Sequence, residues 1–403
     1  MTPHLKHRRQ FILGSAAAIA GASIPGLGRA QNTAVKLGVV HPMTGPVAYN
    51  GQHCRIGTLT AIEDLNARGG IKSLGGIPFQ AVTGDSQGRV EVGVSEVERM
   101  HNLGVHAYVG CYNSPVTIAA TQAASRYGTP FVVDVGASDL IVSRKLENVF
   151  RFSPGFGKCV DDGLLALTEI NKKANGVAKT VVLVHESGEL GTGTIRLLQD
   201  KLPRLGFTVL DTIAHDTPTR SFDNVALRIR GMKPDIVMHT GYVNEYMLLA
   251  RTLQRYKVPA VRYSILGAGF GVKFAKESPD AAAYAMDFNH WYNPLDSRAV
   301  DLKKRIESKG FDYVFEVYCA YNAVMLLADA IERSGSLAAD KIIQSLSAST
   351  WDKHFMPYGP TRFVNGQNEG AAGCGLQVIN DEINVVFPDK FAQAAAVFPR
   401  PAS

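Results

Sequence analysis

The sequence lacks the patterns that mark most metal-binding and nucleotide-binding proteins. Its five cysteines are scattered, with no CxxC pair and no cysteine–histidine spacing, so neither a zinc site nor a disulfide framework is indicated. The glycine-rich residues 188–194 have no GK[ST] ending and do not form a phosphate-binding loop. A second glycine run, residues 267–271, has Val272 in place of the third glycine of a dinucleotide fingerprint. We therefore expect no cofactor and no metal.

Patterns typical of catalysis and of nucleic-acid binding are missing too. No serine lies in a GxSxG sequence, and the histidines near predicted strand ends have no paired nucleophile motif. Such histidines are expected to be hydrogen-bonded structural residues rather than catalysts. No basic stripe with interleaved aromatic residues is present, which excludes a nucleic-acid partner. A mean hydropathy near zero argues against a protein with several membrane spans.

The formal net charge of +6 comes largely from the N-terminus. The first thirty residues hold four basic side chains and no acid, and the remainder has 38 basic and 36 acidic residues. Arg8-Arg9 precedes an apolar stretch, and Gly28-Arg29-Ala30 has the small residues that a signal peptidase reads. We predict a cleavable signal peptide over residues 1–30, of twin-arginine type with a Sec-type signal as the alternative, and a periplasmic protein by either route.

The most informative stretch is residues 105–128. It predicts a buried strand, a tight loop and a helix with Ser114 at the N-cap and Pro115 at the first helical position. A strand that leads into a helix N-terminus bearing the hydroxyls of Ser114 and Thr117 is a candidate anion site. The alternative is that Ser114 only caps its own helix.

A second stretch, residues 234–266, repeats this plan. Gly241 and Asn244 follow its strand in the order that Gly110 and Asn113 follow the first, and a helix comes next. Two such copies predict two similar α/β lobes, each presenting a loop at the carboxyl end of a strand. Lobes of this kind can face one ligand across a cleft.

The rest of the chain alternates strands and helices through residues 34–152 and 180–266, is mostly helical over 298–348, and ends in β-hairpin material. The predicted fold class is α/β, with two doubly wound, parallel-sheet (Rossmann-like) lobes.

The chain resembles the type I periplasmic binding proteins of the leucine/isoleucine/valine and amide branch, which are partners of ABC transporters. The resemblance covers essentially the whole mature chain. It rests on the order of these motifs: Thr44-Gly45-Pro46-Val47-Ala48 with Gly51, Asp64-Leu65-Asn66-Ala67-Arg68-Gly69-Gly70-Ile71, Gly110 with Ser114 and Thr117, Thr129-Pro130, Gly191-Thr192-Gly193, Pro234-Asp235, Tyr321-Asn322-Ala323, Ala328-Asp329-Ala330-Ile331, Asn365-Gly366-Gln367-Asn368, and Gln377.

The resemblance implies which residues bind a ligand. The loop with Ser114 and Thr117 matches the family's carboxylate clamp, Gly136 and Ser138 match a second loop, and Tyr242 and Phe315 match aromatic walls. Three positions depart from the family pattern, at Tyr49, Leu190 and Ala268. The departure at Ala268 matters most, because amino-acid binders place there the glutamate that pairs with the α-ammonium. Glu245, Glu186 or Glu189 is a possible substitute. The full set of predicted ligand-binding residues is Ser114, Thr117, Gly136, Ser138, Tyr242, Phe315, Tyr49, Leu190, Ala268, Asn113 and Glu245.

We therefore predict a non-enzymatic, monomeric, periplasmic component of an ABC importer, which binds a small carboxylate- or amide-bearing solute between its lobes. Three crossover strands would form a hinge, with lobe 1 over residues 34–153 and 290–358 and lobe 2 over 154–289 and 359–403. Its partners would be the ligand and a membrane permease. An α-ammonium without a counter-charge is costly to bury, so an organic acid or amide is favoured over leucine-like amino acids. The alternatives on the same fold are an amide-hydrolysing enzyme and a ligand sensor.

Overall fold

The computed structural model describes residues 33–401. The predicted signal peptide lies outside these residues. Within them, no helix combines the length and the apolar character that crossing a bilayer requires.

The first half of the chain builds a parallel sheet covered by helices. Its first strand β1, which lies between β2 and β3, is buried along almost its whole length, as expected for a strand that lies between two helical layers. The elements of this half are β1 (Val35–His41), α1 (Ala48–Ala67), β2 (Phe79–Asp85), α2 (Val90–Asn102), β3 (Ala107–Gly110), α3 (Ser114–Ser125), β4 (Phe131–Val133), α4 (Leu140–Ser143) and β5 (Val149–Arg151).

The second half builds a sheet of the same kind. Its elements are α5 (Phe156–Lys173), β6 (Thr180–Glu186), α6 (Glu189–Arg204), β7 (Thr208–His215), α7 (Asp223–Met232), β8 (Ile236–Thr240), α8 (Val243–Arg255), β9 (Val261–Ile265), α9 (Val272–Glu277), α10 (Pro279–Ala282) and β10 (Met286–Asn289). The remaining elements are α11 (Ser297–Ser308), α12 (Phe315–Ser334), α13 (Ala339–Ser347), β11 (Phe363–Val364), β12 (Gln367–Asn368), β13 (Cys374–Ile379) and β14 (Glu382–Phe387).

The two sheets have matching strand orders. The first is β11-β12-β5-β4-β3-β1-β2 and the second is β14-β13-β10-β9-β8-β6-β7. Five neighbouring strands run parallel in each sheet, β5-β4-β3-β1-β2 in the first and β10-β9-β8-β6-β7 in the second. The predicted α/β fold with two doubly wound lobes is confirmed. We call each sheet with the helices that cover it a lobe.

The two copies of the strand–loop–helix plan occupy equivalent places. Strand β3 lies between β1 and β4, and β8 lies between β6 and β9. Each is followed within a few residues by a helix, α3 or α8. The internal repeat read from residues 105–128 and 234–266 is therefore a repeat in three dimensions.

One predicted boundary is wrong. Residues 359–403 were expected to belong entirely to lobe 2, but β11 and β12 join the edge of the first sheet. Gln367 pairs with Arg151, whose backbone N–H donates to the Gly366 carbonyl at 2.7 Å. The chain therefore makes its last passage between sheets after Asn368, in the segment before Cys374.

Apolar layers lie on both faces of each sheet. Helices α1 and α12 pack against one face of the first sheet, and α12 is buried along most of its length. Gly57 permits the close approach of these two helices, because a Cβ atom there would lie 2.2 Å from the Val317 carbonyl oxygen. All five cysteines are buried free thiols.

Candidate functional site

The carboxyl ends of strands from both sheets meet around one narrow cavity of about 40 Å³. Lobe 1 contributes Tyr112, Asn113, Ser114, Val135, Ala137 and Phe315. Lobe 2 contributes Leu190, Tyr242, Leu266, Ala268 and Asn289, and His290 follows β10 at the crossover between the lobes.

Six of the eleven predicted site residues line this cavity. They are Asn113, Ser114, Leu190, Tyr242, Ala268 and Phe315. The sequence argument missed Tyr112, Val135, Ala137, Leu266, Asn289 and His290. All six stand at or just after a strand end, so the carboxyl-end rule applied to every strand would have found them.

The other five predicted residues have different surroundings. Thr117 donates through Oγ1 to the Asn113 carbonyl at 2.9 Å, and Gly136 lies so close to Thr117 that a Cβ atom would approach Oγ1 to 2.9 Å. Tyr49 donates to Asp312 Oδ2 at 2.8 Å. Glu245 is buried and accepts from the Thr219 N–H at 3.3 Å. These four residues therefore contact other parts of the protein and do not line the cavity.

Ser138, the fifth, connects the lobes. Its Oγ donates to Glu189 Oε1 at 2.7 Å, and its backbone N–H donates to Ser114 Oγ at 3.2 Å. Glu189 begins α6 in lobe 2, whereas Ser138 follows β4 in lobe 1. One hydroxyl therefore ties the two walls of the cavity together.

The N-terminus of α3 differs by one residue from the prediction. The helix begins at Ser114, and Asn113 takes the N-cap position without a capping hydrogen bond from its side chain. Ser114 Oγ instead accepts from Ser138, which leaves its O–H free to donate into the cavity. Ser114 does not act as the cap of its own helix.

Arg151 fixes the loop that carries Ala137 and Ser138. Its guanidinium is buried, and Nη1 donates to the carbonyl oxygens of these two residues at 2.9 and 2.7 Å. Its Nε donates to Gln367 Oε1 at 2.7 Å. The last turn of the chain in lobe 1 thus supports one wall of the cavity through Arg151.

The cavity wall is uncharged. None of its twelve lining side chains is an aspartate, glutamate, lysine or arginine. Burial, with a smaller contribution from Arg151, lowers the pKa of His290 to about 3, so its imidazole is neutral. Burial likewise raises the pKa of Glu316, which follows Phe315, to about 8. Glu316 is therefore mostly protonated at neutral pH, and Asn50 donates a hydrogen bond to it.

The three acids considered as substitutes for a glutamate at position 268 all accept hydrogen bonds outside the cavity. Glu186 accepts from the backbone N–H groups of Gly188 and Gly191. Glu189 accepts from Ser138, and Glu245 accepts from Thr219. None of the three lines the cavity.

A second buried cluster lies on the face of the first sheet that α1 covers. Ligand atoms of His41, Cys54 and Asp134 lie within 4.8 Å of one another, and residues of these types suit Zn²⁺. His41 Nε2 already pairs with Asp134 Oδ2 at 2.7 Å. Burial raises the pKa of the Cys54 thiol well above its usual range and lowers that of His41. The cluster therefore presents a protonated thiol beside a hydrogen-bonded imidazole, without a nucleophilic thiolate.

Two doubly wound lobes thus surround one small, uncharged cavity. The chain belongs to the periplasmic binding protein family, whose model matches residues 34–380. Membership of this family implies a periplasmic location.

Individual relatives support the assignment over nearly the whole chain. The chain is 24% identical to a Leu/Ile/Val-binding protein homolog from Brucella abortus, over 91% of this chain and 94% of that protein. It also has the fold of the substrate-binding protein LivJ from Streptococcus pneumoniae, solved with isoleucine (TM-score 0.75, 18% identity, 88% of this chain and 100% of that one). A solute-binding protein from R. palustris, solved with benzoate, is equally similar (TM-score 0.75, 18% identity, 90% and 97% coverage).

Proposed function

We propose that the protein captures a small organic acid or amide without an α-ammonium group and delivers it to the permease of an ABC importer. The uncharged cavity wall carries this proposal. Burying an ammonium without a counter-charge costs several kcal/mol even after relaxation. Ala268 and the other lining residues offer no carboxylate to offset that cost.

A carboxylate or carbonyl oxygen is better matched. The first turn of α3 reaches the cavity at Ser114, where the helix dipole and the free Ser114 O–H favour an acceptor or an anion. The aromatic and aliphatic side chains of Tyr242, Phe315, Leu190 and Leu266 suit an apolar ligand body. Among proteins of this fold, one was solved with benzoate and another with isoleucine. Aromatic acids and branched-chain amino acids are therefore compared in one experiment.

We further propose that ligand binding closes the two lobes about their connecting strands, in the manner of a hinge. Ser138 and Glu189 would then act as a closing contact. We also propose that the N-terminal segment directs export by the twin-arginine route, because Arg8 and Arg9 are adjacent and precede an apolar stretch.

The experiment is a thermal-shift screen of the mature protein followed by titration calorimetry. Benzoate, benzamide, phenylacetate, leucine, isoleucine and valine would be compared. A true ligand at one hundred times its Kd adds about 2.7 kcal/mol to the free energy of unfolding. Binding of a carboxylate or amide without response to the amino acids supports the proposal. Tight binding of leucine, isoleucine or valine alone would contradict it.

A further inference from the structure

Three residues of the cavity wall each carry a buried polar side-chain atom that has no hydrogen-bond partner among residues 33–401. These atoms are Tyr112 Oη, Asn113 Oδ1 and His290 Nδ1. Buried polar side-chain atoms are rarely left unpaired in folded proteins, because an unmade hydrogen bond costs about 1–3 kcal/mol. Three such atoms around one cavity indicate that a bound molecule completes their hydrogen bonding.

The three atoms belong to residues on two sides of the cavity. Tyr112 and Asn113 directly precede Ser114, so they belong to the end where α3 begins. His290 directly follows β10, the strand of the second sheet that ends at Asn289. We propose that the ligand carries a second polar group, an uncharged hydroxyl or carbonyl, and that His290 binds it. This inference rests on the proposed function and narrows its ligand class.

His290 is held in place for this task. The backbone N–H of His290 donates to Asn289 Oδ1 at 2.8 Å, and its backbone carbonyl accepts from Tyr318 Oη at 3.2 Å. Its ring meets Phe315 edge-on with centroids 5.6 Å apart. A fixed ring recognises a ligand group at little cost in side-chain entropy.

The charge state of His290 selects the chemistry. A neutral imidazole has one N–H donor and one acceptor nitrogen, and Arg151 nearby further disfavours the cation. Such a ring pairs well with a hydroxyl, which both donates and accepts, or with a carbonyl oxygen. A second carboxylate would gain no counter-charge from the twelve lining residues.

Matched pairs of small acids test the inference by calorimetry. Benzoate is compared with meta- and para-hydroxybenzoate and with para-formylbenzoate, which add one hydroxyl or carbonyl to the same ring. We expect the wild type to bind at least one substituted acid about tenfold tighter than benzoate. A site that pairs with a polar group discriminates strongly against the analogue that lacks it.

Variants then assign the preference to His290. In His290→Phe the affinities for benzoate and for the preferred substituted acid should converge, whereas His290→Gln, which retains a donor and an acceptor, should keep part of the difference. The mutant comparison is made only between variants whose thermal midpoints match the wild type.

Three results would overturn the inference. In the first, the wild type binds benzoate with no preference for any substituted acid; the proposed function would still stand. In the second, His290→Phe weakens the binding of benzoate and of the substituted acids equally; His290 would then line the cavity without recognising the second polar group. In the third, the wild type binds an amino acid but no acid of the set; the proposed function would then be wrong as well.

Discussion

Ser138 Oγ and Glu189 Oε1 are joined by a 2.7 Å hydrogen bond that crosses from lobe 1 to lobe 2. Each residue adjoins a cavity-lining neighbour, Ala137 or Leu190. In the proposed hinge mechanism, a contact in this position would stabilise the closed arrangement of the lobes. A ligand that binds both walls would then be held more tightly when this bond forms, because closure and binding would share one equilibrium.

A double-mutant cycle tests this contact. Ser138→Ala and Glu189→Ala should each weaken ligand binding by about 1 kcal/mol, and the double variant should cost no more than either change alone. Calorimetry measures the affinities, and small-angle scattering measures the compactness of each variant with ligand. If Ser138 instead contacts the ligand directly, Ser138→Ala should weaken binding clearly more than Glu189→Ala does. The interpretation of this pair as a closing contact would then be wrong.

Ser114 is expected to donate to the ligand. Ser114→Ala should weaken binding by about 1–3 kcal/mol, the range for a hydrogen bond to a charged group. Ser125→Ala at the other end of α3 is the matched control and should leave the affinity unchanged. Loss of stability with intact affinity would show that Ser114 only supports the Ser138 loop.

The pH dependence of stability should report Glu316. Its pKa is raised by burial to about 8, so between the unfolded value near 4.5 and pH 8 the folded chain holds a proton that the unfolded chain has lost. Stability from this group is therefore full below pH 4.5 and falls as the pH rises, by up to about 1.4 kcal/mol per pH unit. Asp287, with a pKa raised by burial to about 7, acts in the same direction.

Glu316→Gln should flatten this dependence, because glutamine stays neutral at every pH. The difference in free energy of unfolding between pH 5 and pH 8, measured with urea, should shrink relative to the wild type. Glu91→Gln, at an exposed glutamate of α2, is the control and should leave the difference unchanged. An unaltered difference in the Glu316 variant would show that this carboxyl is ionised in the folded protein.

The features of the fold that could be predicted from the sequence are those set by residues close together in the chain. The strand–helix alternation follows from local hydrophobic spacing, the internal repeat follows from the matching order of loop glycines and asparagines, and both are correct. Residues 363–368 were assigned to the wrong lobe because two-residue strands have no periodicity of their own. Their place is set by distant contacts, above all the pairing of Gln367 with Arg151.

The candidate site likewise divides into residues found by local motifs and residues placed by distant contacts. Ser114 and Tyr242 follow their strands within a recognisable motif, and both line the cavity. His290 and Tyr112 carry no motif, and only the folded chain shows that their polar atoms lack partners. Ser138 was identified as a ligand-binding hydroxyl, yet its bond to Glu189 depends on how the lobes meet, which no local pattern encodes.

The export route has a direct test. Arg8 and Arg9 changed together to lysine should block appearance of the protein in the periplasm if the twin-arginine route is used. The mature chain is expected to begin at Gln31, which mass spectrometry of the periplasmic fraction would measure. Normal export of the double variant would exclude this route and leave a Sec-type signal.

Substitutions of Ala268 should show whether the ligand is an anion or carries an ammonium group. Ala268→Glu adds a carboxylate to an otherwise uncharged wall, and Ala268→Gln adds the same volume without charge. Two like charges 4 Å apart repel by about 4 kcal/mol at an effective dielectric constant of 20, so carboxylate binding should fall at least tenfold further in the glutamate variant than in the glutamine variant. Leucine, whose ammonium gains a partner, should bind the glutamate variant better than the glutamine variant. Calorimetry of both variants with benzoate and leucine measures this, and equal effects of the two substitutions on benzoate would show that the ligand's charge does not face position 268.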